Sequence, residues 1–417
     1  MHKLNSSIEN SEIDSFIQLK PASQNLAIYV HWPFCKSKCP YCDFNSHTFD
    51  SINHDAWLEG YKKELDYFKD IIKNKKITSI FFGGGTPSLM KPHVVEGIIK
   101  HIQIYGADID HQTEITLEAN PTSVESKKFA DFRAVGINRL SIGIQALNDE
   151  DLKFLGRNHN AKESIHAIEL AAKYFDNYSF DLIYARPKQT LMQWKKELEF
   201  ALRLASKHIS LYQLTIEKGT KFFSMHNKGL FSIPNEEKAV ALYDLTNEIL
   251  EKNGLYKYEI SNYAKPQFES KHNLTYWRYE SYLGIGPGAH SRILSMQSNN
   301  TIEEPAKKPT DIKVAAIEMI YSPTNWQNNI FTYGNAIKSF EILAQNIASQ
   351  EALMMGLRLA EGVECKKLDA FRGVSINESL IRSLEDEGLI STITPNFLKL
   401  TEKGLKLHSQ VLMYIYS

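Results

Sequence analysis

Three cysteines stand within eight positions in the string HWPFCKSKCPYCDF: Cys35, Cys39 and Cys42, spaced C-x3-C-x2-C. With only four cysteines in 417 residues, such clustering points to a metal rather than to a disulfide framework. The fourth, Cys365, is isolated and reads as a small buried hydrophobe. Structural zinc closes a tetrahedron with four protein ligands, normally two separated pairs. A zinc knot here would need His31 or His47 to complete it, and that reading stays open as the alternative. A [4Fe–4S] cluster held by three thiolates leaves one iron open, able to chelate the amino and carboxylate groups of a methionine moiety. Cys35, Cys39 and Cys42 are therefore the expected ligands of a [4Fe–4S] cluster.

A second motif, FFGGGTPS at 81–88, joins three glycines to a Thr–Pro pair that opens the next element. Glycines let the backbone approach a ligand closely, and proline is at home in a first helical turn. A glycine turn alone is weak evidence. Its position one strand after the cysteines makes the pair specific and weighs against zinc.

The elements that must position these motifs follow a regular rhythm. Runs rich in β-branched and aromatic residues occur at 26–32, 77–82, 113–118, 138–143, 178–184 and 208–214. Amphipathic helical stretches lie between them at 54–73, 91–104, 123–135, 161–175 and 190–205, with another at 234–253. Six such alternations imply a parallel α/β sheet with right-handed crossovers. In parallel β/α folds ligands sit at the carboxyl ends of strands, where both motifs fall. Beyond 340 the spacing predicts helices at 350–360, 376–387 and 401–414 around an extended stretch at 389–400, a winged-helix-like order. Residues 295–330, with Pro305, Pro309 and Pro323, read as an irregular insertion.

The chain is 43% hydrophobic and 23% charged, with formal net charge −1, and no basic stripe marks the wing region, so nucleic-acid binding is not expected. The first residues, MHKLNSSIENSEID, lack the apolar core of a signal peptide, and no apolar run nears the ~18 residues of a bilayer span. A cytoplasmic protein without an integral membrane segment is expected, peripheral membrane association being left open.

The cysteine and glycine motifs together resemble the radical SAM superfamily. YVHWPFCKSKCPYCDFNSH, FFGGGTPS, LEANP, RLSIGIQ, the Arg157–His159 stretch, DLIYARP and GIGPGAHS resemble, more narrowly, the oxygen-independent coproporphyrinogen III oxidase family. The resemblance covers about 27–291 and a terminal domain at 341–410. It implies a partial (β/α)6 radical SAM barrel followed by a mostly helical, winged-helix-like C-terminal domain. It also implies S-adenosylmethionine (SAM) contacts from Tyr29, Gly84, Gly85, Thr86, Glu118, Gln145, Arg157 and Asp181. Tyr29 would flank the methionine, the Gly84–Thr86 turn would meet its amino group, Arg157 its carboxylate, and Asp181 a ribose hydroxyl. Judged singly, a carboxylate of this kind is more often a loop residue or helix cap; their array at successive strands is what raises them. One departure stands out: the family usually reads DLIYGLPGQT, where this chain has DLIYARPKQT at 181–190.

Within the family, the oxidases extend the motif to C-x3-C-x2-C-x-C, but the extending position here is Phe44. PYCDFNS and HNLTYW (272–277) resemble instead a branch whose members bind heme and are regarded as heme chaperones for respiratory proteins. That resemblance implies heme as a further ligand, with His272 as its axial ligand and His290 as a competitor. The expected activity is heme binding and delivery to heme-accepting respiratory proteins. The alternative is SAM-dependent decarboxylation of porphyrinogen propionates. The expected organisation is a flexible tail (1–24), a radical SAM core (25–230), a barrel-covering and heme-binding region (231–294), a variable insertion (295–339) and a helical C-terminal domain (340–417).

Overall fold

The computed structural model describes residues 12–13, 15–49, 51–296, 312–371, 378–394 and 397–416. All six expected strands form: β1 (Asn25–Trp32), β2 (Lys76–Gly84), β3 (Glu114–Ala119), β4 (Arg139–Gln145), β5 (Asn177–Tyr184) and β6 (His208–Gln213). They pair in parallel and in chain order, through partners such as Tyr29↔Phe81, Leu117↔Leu140 and Asp181↔Ser210. The crossovers are α1 (His54–Tyr67), α2 (Pro92–Ile104), α3 (Phe129–Ala134), α4 (Ala161–Tyr174) and α5 (Leu191–Leu204). Helices α4 and α5 each begin with a capping box, Asn160 with Glu163 and Thr190 with Gln193. These satisfy orphan amides at the two helix starts. The expected helices 54–73 and 123–135 are each broken in two, at Phe68 and near Lys127–Lys128.

The sheet continues past both edges of this half-barrel. After α6 (Glu236–Lys252), the antiparallel β7 (Tyr256–Glu259) and β8 (Asn262–Ala264) attach to β6. A short helix, α7 (Lys271–Trp277), then leads to β9 (Tyr282–Ile285), which runs parallel to β1. Antiparallel strands β10 (His290–Met296), β11 (Ile312–Met319) and β12 (Ile337–Ile342) complete that side.

Much of the expected irregular insertion is therefore regular structure. Between β11 and β12 lies α8 (Pro323–Tyr333), whose Trp326 stacks on Trp57 of α1 at 5.1 Å and donates from Nε1 to buried Glu64. Prolines suggested a loop, but Pro323 occupies the first turn of α8, where its missing N–H costs nothing. Residues 297–311, with Pro305 and Pro309, lie outside the described residues. The N-terminal region is likewise partly packed: Ile13 and Phe16 are buried, and Lys20–Pro21 pairs with Ser295–Met296 of β10. Residues 1–11 and 14 of the expected tail lie outside the described residues.

The C-terminal unit begins with α9 (Gln345–Gly356) and adds helices Cys365–Ala370, Glu378–Asp386, Glu402–Lys406 and His408–Tyr416. Its small sheet joins Val363–Glu364, Phe397–Leu400 and Ile390–Thr394, the last two making the wing. Positions 376–377 of the expected second helix lie outside the described residues. Several contacts tie this unit to the barrel, among them Lys257 with Glu402 and Lys406 with Asp244. Arg358 pairs with buried Glu259 of β7 at 3.0 Å and stacks over Trp277 of α7. Arg292 of β10 pairs with Glu351 of α9 at 2.8 Å.

Candidate functional site

One cleft at the carboxyl end of the barrel is lined by all three clustered cysteines and by Gly84, Gly85, Thr86, Glu118, Gln145, Arg157 and Asp181. The loop after β1 carries the cysteines, and two backbone bonds lock it to the glycine turn after β2: Gly85 N–H to Trp32 O at 2.7 Å and Thr86 N–H to Phe34 O at 2.8 Å. Side chains then reach the sulfurs. Thr86 Oγ1 donates to Cys35 Sγ at 3.3 Å, and Arg157 Nη1 donates to Cys39 Sγ at 3.2 Å. Asn120 joins the two by donating to Thr86 Oγ1 at 3.1 Å and accepting from Arg157 Nη2 at 2.7 Å.

This donor set fits a cluster with three thiolate ligands. Hydrogen bonds to coordinating sulfur orient the ligand and stabilise its charge. Without a metal, burial pushes the Cys35 and Cys42 thiols up. Among the described residues no group of three or more His, Cys, Asp or Glu side chains is arranged to hold a single metal ion. His31, one of the two histidines that could complete a zinc knot, has its ring nitrogens 3.0 Å from Tyr29 OH and 2.9 Å from Asn45 O. All four cysteines are free, and Cys365 is half-buried against the C-terminal core, not fully buried as expected.

The expected SAM-contacting side chains occupy unequal positions. Gly84 N–H donates to Glu118 Oε2 at 3.1 Å, bringing the ends of β2 and β3 together. Gln145 ends β4 with φ of 72°, and Arg157 follows a helix twelve positions on rather than closing a strand. Asp181 also does not close its strand; it lies within β5, facing inward beside Ser141 and Ser210. Arg157 is committed to Cys39, Tyr41, Asn120 and the Gly143 carbonyl, but its buried Nε has no partner. Tyr29 does not line the cleft. It shares its strand face with His31, and its hydroxyl lies 3.0 Å from His31 Nδ1 in the barrel interior. Gly84, expected to let the backbone approach a ligand closely, is also hemmed in by the protein itself. A Cβ there would meet the His31 ring at 2.5 Å, and Gly84 has φ of +106°, a conformation that favours glycine. Sequence reading passed over Asn120, although it stands in LEANP directly after β3.

Electrostatics distinguish this cleft from an ordinary polar surface. Burial, with Asp181 nearby, pushes Glu118 up to about 8. Burial likewise pushes Asp181 up to about 6, with partial offset from Ser210, Arg139, Arg157 and Ser141. Two neighbouring carboxyls that resist ionisation are suited to a polar or cationic ligand that can compensate their charge.

The departing segment after β5 is also resolved. Ala185 and Lys188, where the family has glycines, have φ of 57° and 60°. Arg186 is buried, pairs with Asp151 at 3.0 Å and makes a bidentate contact with Glu197. That clamp holds a left-handed backbone without glycine.

His272 is elsewhere. Helix α7 inserts into the lower half of the barrel, where Glu114, the first residue of β3, accepts from His272 N–H at 3.2 Å. The ring is 1% exposed, stacks on Phe81 at 4.8 Å, and has Ser79 Oγ 2.8 Å from Nδ1 and Tyr276 OH 2.7 Å from Nε2. Burial lowers it to about 3, so it is a neutral imidazole with both nitrogens occupied. The expectation of an accessible iron ligand is corrected by this packing.

Comparison with known proteins agrees with the cleft. Residues 29–201 match the Radical SAM superfamily and residues 346–407 the HemN C-terminal domain. The fold is similar to that of coproporphyrinogen III oxidase (HemN) from Escherichia coli, with TM-score 0.76 and 19% identity over 96% of this chain and 93% of that one. That likeness concerns the fold alone. The chain belongs to the radical SAM superfamily and is homologous to proteins called HemW and radical S-adenosyl methionine domain-containing protein 1. It is 41% identical over 281 residues to the heme chaperone HemW of Haemophilus influenzae, covering 66% of this chain and 72% of that protein. To the mitochondrial radical S-adenosyl methionine domain-containing protein 1 of Bos taurus it is 32% identical over 404 residues, 95% of this chain and 88% of that one. Among the described residues no helix is long and apolar enough to cross a membrane.

Proposed function

We propose that this chain is a heme chaperone that binds a [4Fe–4S] cluster, SAM and heme, and delivers heme to respiratory proteins. The observation that carries the reading is homology to proteins named heme chaperone HemW, at 41% identity in one case. Phe44 supports it: where the oxidases have a fourth cysteine, this chain presents an apolar ring 58% exposed. The reading places its site of action in the cytoplasm, with no nucleic acid among its partners; the bacterial relatives named HemW support it, while the relatives of Danio rerio and Bos taurus are named mitochondrial.

Cys35, Cys39 and Cys42 would hold the cluster, which supplies when bound the electron for reductive cleavage of SAM. Thr86 and Arg157 would stabilise two of the coordinating sulfurs. Glu118 and Asp181 would accept hydrogen bonds from the amino and hydroxyl groups of SAM, ionising as those groups displace water. Gln145 and the Gly84–Thr86 turn would line the same ligand, and Tyr29, from below, would support His31 against Gly84.

The reading is tested on full-length protein reconstituted anaerobically with iron and sulfide. Heme titration, SAM cleavage and coproporphyrinogen III turnover are measured on one preparation. Heme binding without decarboxylated product is expected. Decarboxylation in step with SAM consumption would overturn the chaperone reading in favour of the oxidase.

A further inference from the structure

One buried hydroxyl in the cysteine cleft is left without a partner. After Cys42 the chain turns through Asp43–Asn45 and comes back beside its own start. His47 N–H donates to Pro33 O at 2.7 Å, and His47 and Thr48 pair with Phe34 and Cys35. This return brings Ser46 to the cysteines: it is 7% exposed and lines the cleft with Cys35 and Cys42. Its Oγ is sealed from water yet makes no hydrogen bond to a described residue. It is nonetheless a neighbour of both sulfurs. Burial pushes the Cys35 and Cys42 thiols up, and Ser46 is among the groups that draw each back down. A buried hydroxyl left unpaired is costly, and one aimed into a ligand cleft is satisfied when the ligand is bound.

The loop is braced so that this hydroxyl keeps its place. Ser46 N–H donates to Phe44 O at 2.8 Å. Asn45, just before it, spends its side chain and its carbonyl on the surrounding protein. Its Nδ2 donates to Pro287 O at 2.9 Å and to Tyr321 O at 3.0 Å, its Oδ1 lies 3.0 Å from His47 Nε2, and its carbonyl lies 2.9 Å from His31 Nε2. A Cβ on Gly288 would stand 2.5 Å from Asn45 Nδ2, so the turn before β10 is shaped to admit this brace. The three sulfurs are unequally served. Cys35 and Cys39 accept from Thr86 and Arg157, whereas among the described residues no side chain donates to Cys42.

We propose that Ser46 donates its hydroxyl hydrogen bond to the Cys42 thiolate of the bound [4Fe–4S] cluster, and that Asn45 is the positioning residue that holds it there. This rests on the three-cysteine cluster reading and adds a residue to it. A donor to coordinating sulfur stabilises the reduced, more negatively charged cluster, so the hydroxyl raises the reduction potential.

The test is a potentiometric titration of the reconstituted full-length protein without SAM, followed by the electron paramagnetic resonance of the reduced cluster. Ser46→Ala should carry the parent's iron and sulfide. Its one-electron reduction constant should be lower by about tenfold, a potential about 59 mV more negative. In D2O the reduced cluster of Ser46→Ala should also lose one exchangeable deuterium coupling that the parent shows. Asn45→Ala, which keeps the hydroxyl but removes its brace, should shift the potential the same way by less. A parent that loads a cluster, with potential or deuterium coupling unchanged in Ser46→Ala, overturns the donor assignment and leaves the three-cysteine reading intact. Loss of iron in Ser46→Ala also overturns it, because Ser46 would then be a ligand. An unchanged potential in Asn45→Ala overturns the bracing role. A parent that loads no cluster overturns both readings.

Discussion

Ser79 Oγ lies 2.8 Å from His272 Nδ1 across the barrel interior, joining residues 193 positions apart. With Tyr276 at the other nitrogen, this pair makes His272 the pin by which α7 plugs the barrel. His272→Ala should leave Ser79 and Tyr276 hydroxyls without their buried partner and create a cavity, costing about 2–4 kcal/mol. Thermal melts of the cofactor-free protein should show the loss, while the heme spectrum of refolded variant keeps its Soret position. An unchanged melt with a moved Soret band would return His272 to the role of ligand.

Cys35→Ser, Cys39→Ser and Cys42→Ser should each abolish a stable cluster, because a cubane held by two thiolates lacks anchorage. Cys365→Ser, in the C-terminal unit, should leave iron and sulfide content unchanged. Iron analysis and the visible spectrum after reconstitution decide it, and loss of iron in Cys365→Ser would contradict a three-cysteine site.

Gly84 combines φ of +106° with a His31 ring 2.5 Å from where a Cβ would stand. Gly84→Val should therefore disturb the turn that Gly85 and Thr86 hold against the cysteine loop. Both cluster loading and SAM affinity should fall, with stability lower by about 1–3 kcal/mol. Intact cluster loading with only SAM affinity reduced would mean that the turn touches ligand alone.

Glu118 has its carboxyl pushed up to about 8, so the folded protein retains a proton there that the unfolded chain releases near its ordinary value. Folded-state stability from this group is then greatest at low pH and declines as pH rises from about 4.5 to 8. Glu118→Gln should stabilise cofactor-free protein at pH 8, by on the order of 1–2 kcal/mol, and have little effect near pH 4.5. SAM affinity in the parent should rise with pH over the same window, as ionised Glu118 meets the ligand's positive charge. Titration calorimetry at several pH values checks this; affinity falling with pH would contradict the assignment.

Ala185 and Lys188 both hold left-handed backbone, at positions where the pattern this chain resembles reads glycine. A left-handed non-glycine residue costs about 1–2 kcal/mol, partly offset by the smaller entropy of the unfolded chain. Ala185→Gly and Lys188→Gly should each stabilise the protein by about 0.5–1 kcal/mol in denaturant titration. Destabilisation in both would mean that the Arg186 clamp fixes this loop without strain.

The half-barrel and the cysteine loop were legible because their information is local. Strand runs such as IYVHW and SIFF declare themselves by β-branched and aromatic content. Three ligands within eight residues carry much of their geometry in their spacing. Two local expectations still misled. Prolines around 305–323 and scattered polar residues hid β11 and α8, whose identity depends on Trp326 meeting Trp57 and Glu64. HNLTYW promised an available imidazole, since nothing in six residues shows which face of a short helix will be swallowed by a distant sheet. Only the tertiary structure decided that His272 is spent on Ser79 and Tyr276 while His290 keeps about half of its side chain exposed, and that Arg157 reaches Cys39 from 118 positions away. Burial and hydrogen-bond occupancy are set by packing between segments far apart in the chain, and those two quantities determine which of several chemically equal side chains is free to bind.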